Sequence, residues 1–170
     1  MLAVSGLALA YAALVGWAMW SDCRTLNIPN TVSVGLLALF LPAALAGGLA
    51  WGDIGLHFAV GGAVLGLGIG VFALGIMGGG DIKFMAAVSV WIGWPGVMGF
   101  ILLVAVLGGV LALLALVLKR YSRRIGGLSR LPWLSPDATE NAIPYGIAIG
   151  LAALHGLFLS PGRMLPGVGF

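Results

Sequence analysis

The sequence predicts an all-α membrane protein with six transmembrane helices in one domain, residues 1–170. Of the 170 residues, 61% are hydrophobic and only 8% are charged, and the mean hydropathy is +1.15. Such a chain has too little polar surface to cover a water-soluble globule. The 29 glycines agree, because glycine is common in membrane helices and lets their backbones approach closely.

Apolar runs long enough to cross a bilayer fix the predicted helix positions. The predicted spans are residues 2–20, 31–50, 54–76, 84–94, 97–118 and 142–159. No basic segment precedes the first run, so we interpret it as a membrane helix and not as a cleaved signal peptide. One helix over residues 84–118 would be about 50 Å long and would exceed the bilayer. We therefore predict a break at Trp94-Pro95-Gly96 and a short fourth span.

The distribution of basic residues predicts the orientation, with the N-terminus outside. Seven of the eight Lys and Arg residues then fall on the cytoplasmic side, five of them between Lys119 and Arg130. We expect this basic loop to meet anionic headgroups and not nucleic acid. Asp137 and Glu140, at its far end, would suit a basic peptide. The same orientation predicts one membrane face for Asp22 and Asp81.

Two aspartates on one face can act as a pair. Two close carboxyl groups do not both ionise readily, so one keeps a proton near neutral pH. The ionised one can take a proton from water while the other polarises a carbonyl, and a peptide bond is hydrolysed without a covalent intermediate. Gly78, Gly79 and Gly80 precede Asp81 and would let a substrate strand approach it. We predict Asp22 and Asp81 as catalytic and the glycines as the access route.

The remaining polar residues have simpler interpretations. Lys83 has two possible roles in the site, to hold the substrate backbone or to lower the pKa of a nearby aspartate. It could instead anchor the helix end among the lipid headgroups. Cys23 is the single cysteine, which excludes an internal disulfide and a CxxC pair. His57 and His155 are predicted near the outer side of the membrane, where neither can act as a base for Cys23. A cysteine-protease site is therefore not expected. We predict no metal and no cofactor.

Three segments resemble the type IV prepilin peptidase family. Gly78-Gly79-Gly80-Asp81-Ile82-Lys83 resembles its GxGD motif and following lysine, and Asp22 with Ile28-Pro29-Asn30 resembles its first-aspartate segment. Ile143-Pro144-Tyr145-Gly146-Ile147-Ala148 resembles the segment that opens the last helix of small members. The resemblance implies an inner-membrane aspartyl endopeptidase that removes the short basic leader of prepilin or pseudopilin precursors at the cytoplasmic face. By analogy Asp22 and Asp81 are its catalytic pair.

The chain departs from the longer members of that family. Those carry a cytoplasmic insertion with paired CxxC motifs near the N-terminus and also N-methylate the new terminus. No such insertion fits between the first two predicted spans, and Cys23 is alone. The chain therefore resembles the small peptidase-only branch associated with Flp or Tad pili, and we do not expect methyl transfer.

A different class of function is also compatible with the charged stretch. In a small transporter or proton-linked channel component, Asp81 and Lys83 would line a polar pathway at a broken helix. We disfavour it because no ionisable residue is predicted near them in the outer half of the membrane, so no continuous polar path results.

Overall fold

The computed structural model describes residues 2–122, 131–134 and 143–159, and these contain helices and no strand. The helices are α1 (Leu2–Thr25), α2 (Asn30–Ala46), α3 (Trp51–Ala73), α4 (Gly79–Ser122) and α5 (Tyr145–Leu159), with a 3-10 turn at Pro132–Leu134. The all-α class is therefore confirmed. The basic residues 123–130, Asp137, Glu140 and the first residue of the predicted sixth span lie outside the described ranges.

Among the described residues, two helices are long and apolar enough to cross a membrane, namely Trp51–Ala73 and Gly79–Arg120. Asn30–Ala46 and Tyr145–Leu157 are shorter apolar helices. Large apolar side chains point outward from the bundle, among them Leu67 (74% exposed), Leu102 (67%) and Leu113 (66%). Such an apolar exterior suits lipid and not water. Six crossings and an outside N-terminus stay predictions.

Gly93 breaks α4 into two arms, residues 79–92 and 94–122. Its φ of 69° and ψ of −179° are not helical and belong to a region that glycine alone adopts readily. Pro95 follows in the first turn of the second arm, where a missing N–H does no harm. The break lies one residue before the predicted Trp94-Pro95-Gly96. The first arm is about 21 Å long, shorter than the hydrocarbon core, in agreement with a short fourth segment.

The first helix is longer than predicted. We expected Asp22 in a linker after residue 20, but α1 continues to Thr25 and Asp22 lies in its last turn. Hydrogen bonds explain the extension: the Leu26 N–H donates to the Asp22 carbonyl (2.9 Å) and the Thr25 hydroxyl donates to the Ser21 carbonyl (2.9 Å). The Ser21 hydroxyl donates to the Asn27 carbonyl (2.8 Å), which fastens the four-residue connection to α1.

The first arm of α4 is the centre of the bundle. Trp91 packs between Tyr11 of α1 (ring centroids 4.7 Å apart) and Phe40 of α2 (5.7 Å), and its indole N–H donates to the Leu36 carbonyl (3.0 Å). On the α3 side, Gly68 lies against Ile82 so closely that no Cβ would fit. α5 packs on both α1 and α4. These contacts bring the end of α1 and the starts of α4 and α5 together.

Candidate active site

A cavity of about 400 Å³ lies where the end of α1 meets the starts of α4 and α5. Asp22 and Asp81 both line it, together with Phe72, Gly78 and Tyr145. The sequence predicted one face of the membrane for the two aspartates. The structure brings the two side chains into the same cavity, although 58 residues lie between them in the chain.

The carboxyl group of Asp22 is held by the backbone of α5. Asp22 is 3% exposed, and its Oδ2 accepts a hydrogen bond from the Gly146 N–H at 2.7 Å. Gly146 is the second residue of α5, where a backbone N–H has no partner inside its own helix. A Cβ at Gly146 would lie 2.7 Å from Asp22 Oδ2 and 2.9 Å from Asp22 Cβ, so only glycine allows this approach.

Asp81 lies in the first turn of α4 and faces Asp22 across the cavity. The two carboxyl groups interact electrostatically, and the Gly78 and Gly146 N–H groups also act on the Asp81 carboxyl. Asp81 Oδ1 is buried and has no hydrogen-bond partner among the described residues. Buried carboxyl oxygens are rarely left unpaired. This oxygen is therefore a position at which a proton, a water or a substrate group can be bound.

The three glycines before Asp81 have different surroundings. A Cβ at Gly78 would lie 3.0 Å from Asp81 Oδ2, and one at Gly80 would lie 3.3 Å from the Ile28 carbonyl oxygen and 3.4 Å from the Ile28 N. Gly79 has only an ordinary contact, 3.6 Å to the Phe72 ring. Gly78 thus lies beside the aspartates, while Gly80 lets α4 begin against the α1–α2 connection.

Lys83 is not brought into this cavity. Its Nζ donates to Asn30 Oδ1 at 3.0 Å, and both residues line another cavity between α2 and α3. The Lys83 side chain therefore lies on the other side of α4 from the Asp81 carboxyl.

The other candidate groups are accounted for in the described part of the chain. Cys23 is a half-buried free thiol. The His57 ring is buried, and its Nδ1–H donates to the Val90 carbonyl at 2.6 Å. Within residues 2–122, 131–134 and 143–159, no group of three or more His, Cys, Asp or Glu residues is arranged to hold a metal ion.

Gly146 is the residue of this site that the sequence did not single out. The sequence indicated its segment only through a family resemblance. A physical signal was nevertheless present, because Ile143-Pro144-Tyr145-Gly146 begins an apolar run and Pro is common where helices begin. What the sequence does not contain is the partner, which lies 124 residues earlier in the chain.

Known proteins resemble this chain over much of its length. Residues 9–113 match the model of the type IV leader peptidase family, a range that includes both Asp22 and Asp81. The chain is 34% identical over 148 residues to the prepilin leader peptidase/N-methyltransferase of Escherichia coli (strain K12), which covers 81% of the chain. The alignment spans 63% of the length of that curated relative. No solved structure matches the chain. By the extent of the family match and the identity to this relative, the chain belongs to the type IV leader peptidase family.

Proposed function

We propose that the protein is a membrane-embedded aspartyl endopeptidase that removes the short basic leader peptide from type IV prepilin-like precursors at the cytoplasmic face of the inner membrane. Membership of the type IV leader peptidase family supports the peptidase class. The observation that carries the mechanism is the shared cavity, in which the Asp22 and Asp81 carboxyl groups interact electrostatically.

The surroundings of the two carboxyl groups suggest different roles. Asp22 accepts a backbone hydrogen bond, and such a bond favours the ionised form of a carboxyl group. We assign Asp22 as the general base. The Gly78 and Gly146 N–H groups act on Asp81 as well, but its burial and the repulsion by an ionised Asp22 outweigh them and favour a proton, which its unpaired Oδ1 can carry. We assign Asp81 as the general acid.

The reaction then needs no covalent intermediate. Asp22 takes a proton from a water molecule as the water oxygen bonds to the scissile carbonyl carbon, and Asp81 gives its proton to the carbonyl oxygen. In the resulting diol, the proton on Asp22 passes to the amide nitrogen as the C–N bond breaks. A diol hydroxyl returns a proton to Asp81. The products are a carboxylic acid and an amine, and both aspartates regain their starting states.

The walls of the cavity suit an extended peptide. Phe72 and Tyr145 give it apolar walls, and Gly78 leaves the backbone uncovered beside Asp81. An extended strand has its carbonyls exposed, which a helix does not, so a bound substrate must be unwound at the scissile bond. The glycine-lined side is our proposed route for that strand.

We propose peptidase activity without methyl transfer. The name of the Escherichia coli relative includes both activities. In this chain, four residues connect α1 to α2, which leaves no room there for the cytoplasmic insertion expected of bifunctional members. We also propose that this chain belongs to the small peptidase-only branch associated with Flp or Tad pili.

The transporter alternative required Asp81 and Lys83 to line one polar pathway. The two side chains line separate cavities, and the cavity of Lys83 is mainly apolar. We therefore do not propose transport.

Co-expression with a prepilin precursor tests the proposed function. The mature product is recovered from the membrane fraction, and its N-terminus and mass are determined. We expect the basic leader to be removed and the new N-terminal amine to carry no methyl group, even when S-adenosylmethionine is supplied. An intact precursor would overturn the peptidase, and a methylated product would overturn only the peptidase-only assignment.

A further inference from the structure

A second cavity, of about 520 Å³, lies between α2 and α3, with the first arm of α4 as its floor. Both α2 and α3 pack on α4, and between themselves the Phe40 ring of α2 contacts His57 and Phe58 of α3. Each of the three helices contributes four residues spaced i, i+3, i+4 and i+7, which is the spacing of one helix face. Seven residues of helix rise by about 10 Å, so the cavity runs for about two helical turns. We call it the α2–α3 groove.

The α2–α3 groove is apolar along most of its length and polar at one end. Val34, Leu37, Phe58 and Leu65 supply large apolar side chains. The polar end is formed by the starts of α2 and α4, where Asn30 and Lys83 are joined by their hydrogen bond. A ligand that fills this groove must therefore be apolar with a polar head.

The charge of Lys83 determines the sign of that head. An ammonium group has three N–H donors, and Asn30 Oδ1 accepts one of them. Asn30 is neutral, and within the described residues Lys83 contacts no carboxylate. Both side chains are exposed, so the remaining donors are accessible to a ligand. A phosphate oxygen is a suitable acceptor because lysine binds phosphate as a point charge.

We propose that the α2–α3 groove binds an anionic phospholipid, with one acyl chain between α2 and α3 and the phosphate on Lys83. A phospholipid matches both parts of the groove, because its acyl chain suits the apolar length and its anionic head suits the exposed cation at one end. Lipid tails elsewhere in the bilayer are as apolar as the groove, so preference between lipids must come from the head and hence from Lys83.

The chain offers a matched pair of glycines for a test. A Cβ at Gly62 or at Gly66 would meet no other atom within 4 Å, so leucine is accommodated at either position of α3. Gly62 lines the groove and Gly66 does not. Gly62→Leu should therefore fill the groove, while Gly66→Leu adds the same side chain elsewhere on the same helix. Lys83→Gln removes the charge and keeps a polar side chain.

The purified full chain and these three variants are incubated with phosphatidylglycerol and phosphatidylcholine of equal acyl chains, and retained lipid is measured by native mass spectrometry. We expect the unchanged chain and Gly66→Leu to retain phosphatidylglycerol about fivefold over phosphatidylcholine. Lys83→Gln should retain both equally, and Gly62→Leu should lose the bound lipid. An unchanged preference in Lys83→Gln, or equal lipid retention by Gly62→Leu and Gly66→Leu, would overturn the proposal.

A photo-crosslinking residue at Val34, which lines the groove and is 62% exposed, identifies the occupant in membranes. We expect it to capture lipid. Capture of a second copy of the chain, or of an added prepilin, would show that the groove is a protein-binding surface and would overturn the lipid site.

Discussion

The Gly146 N–H lies 2.7 Å from Asp22 Oδ2 and so joins the first turn of α5 to the end of α1. These residues come from opposite ends of the described chain, and the bond uses a backbone donor that no residue of α5 can satisfy. The bond orients one carboxyl group of the proposed pair without a charged partner. The position of α5 therefore controls the geometry of the candidate site.

Gly146→Ala is expected to impair cleavage strongly. Its methyl group would lie 2.7 Å from Asp22 Oδ2 and from Ile28 Cδ1, so the Asp22 carboxyl must move. A displacement of about 1 Å in a catalytic group costs roughly 100-fold in rate. The measurement is kcat/KM on a prepilin leader peptide. Gly16→Ala on α1 is the matched control, because a Cβ there meets nothing within 4 Å. Equal rates in the two variants would contradict the role of Gly146.

The rate of cleavage is expected to depend on pH with a bell shape. Asp22 must be ionised to take a proton from water, so the rate falls when acid protonates it. Asp81 must be protonated to donate, so the rate also falls when alkali removes its proton. The measurement is kcat/KM across acid, neutral and alkaline pH with substrate at low concentration. A rate that stays constant on the alkaline side would argue against a protonated partner.

Gly78 and Gly80 are expected to tolerate substitution by alanine less well than Gly79, which lies between them. A Cβ at Gly80 would press on the Ile28 backbone at 3.3 Å, and one at Gly78 would lie 3.0 Å from Asp81 Oδ2. At Gly79 the nearest atom is the Phe72 ring, at an ordinary 3.6 Å. Gly80→Ala and Gly78→Ala should each reduce cleavage at least about tenfold, while Gly79→Ala stays near the unchanged rate. The reverse order would mean that the crowding at the start of α4 has no bearing on activity.

Gly93→Ala is expected to destabilise the fold. The backbone at φ 69° and ψ −179° costs about 1–3 kcal/mol for a residue with a side chain, and the new Cβ would lie 2.6 Å from His57 Cε1. The melting temperature in detergent should fall well below that of Gly99→Ala, a change on the same helix where a Cβ meets nothing within 4 Å. If the two variants melt together, the break at Gly93 is not a strained position.

Much of the fold and part of the candidate site could be predicted from the sequence. Composition predicted the all-α class, and helix length placed the break in α4 within one residue of Gly93. These two predictions succeeded because each depends on a property summed over a long stretch of chain. Charge bias predicted a common membrane face for Asp22 and Asp81, and this stays a prediction, although the two side chains line one cavity.

The direction of the Lys83 side chain is a feature that the sequence did not predict. We began the fourth span at Phe84, which left residues 81–83 in a loop where Asp81 and Lys83 would be neighbours. In the structure α4 begins at Gly79, and two residues of a helix are separated by about 200° around its axis. The same helix start that directs Asp81 into the site therefore directs Lys83 into the α2–α3 groove. The Gly146 contact was missed for another reason, because it depends on the tertiary approach of α5 to α1.

The most direct test of the proposed pair is the cleavage of a prepilin precursor by Asp22→Asn, Asp81→Asn and Asp53→Asn, each with its membrane insertion measured in parallel. Asp53 is the control, since it is exposed in the first turn of α3 and lines a different cavity. We predict that Asp22→Asn and Asp81→Asn each lose cleavage by about 1,000-fold or more while all three proteins insert normally. Unchanged cleavage in either of these two variants would contradict the two-aspartate mechanism.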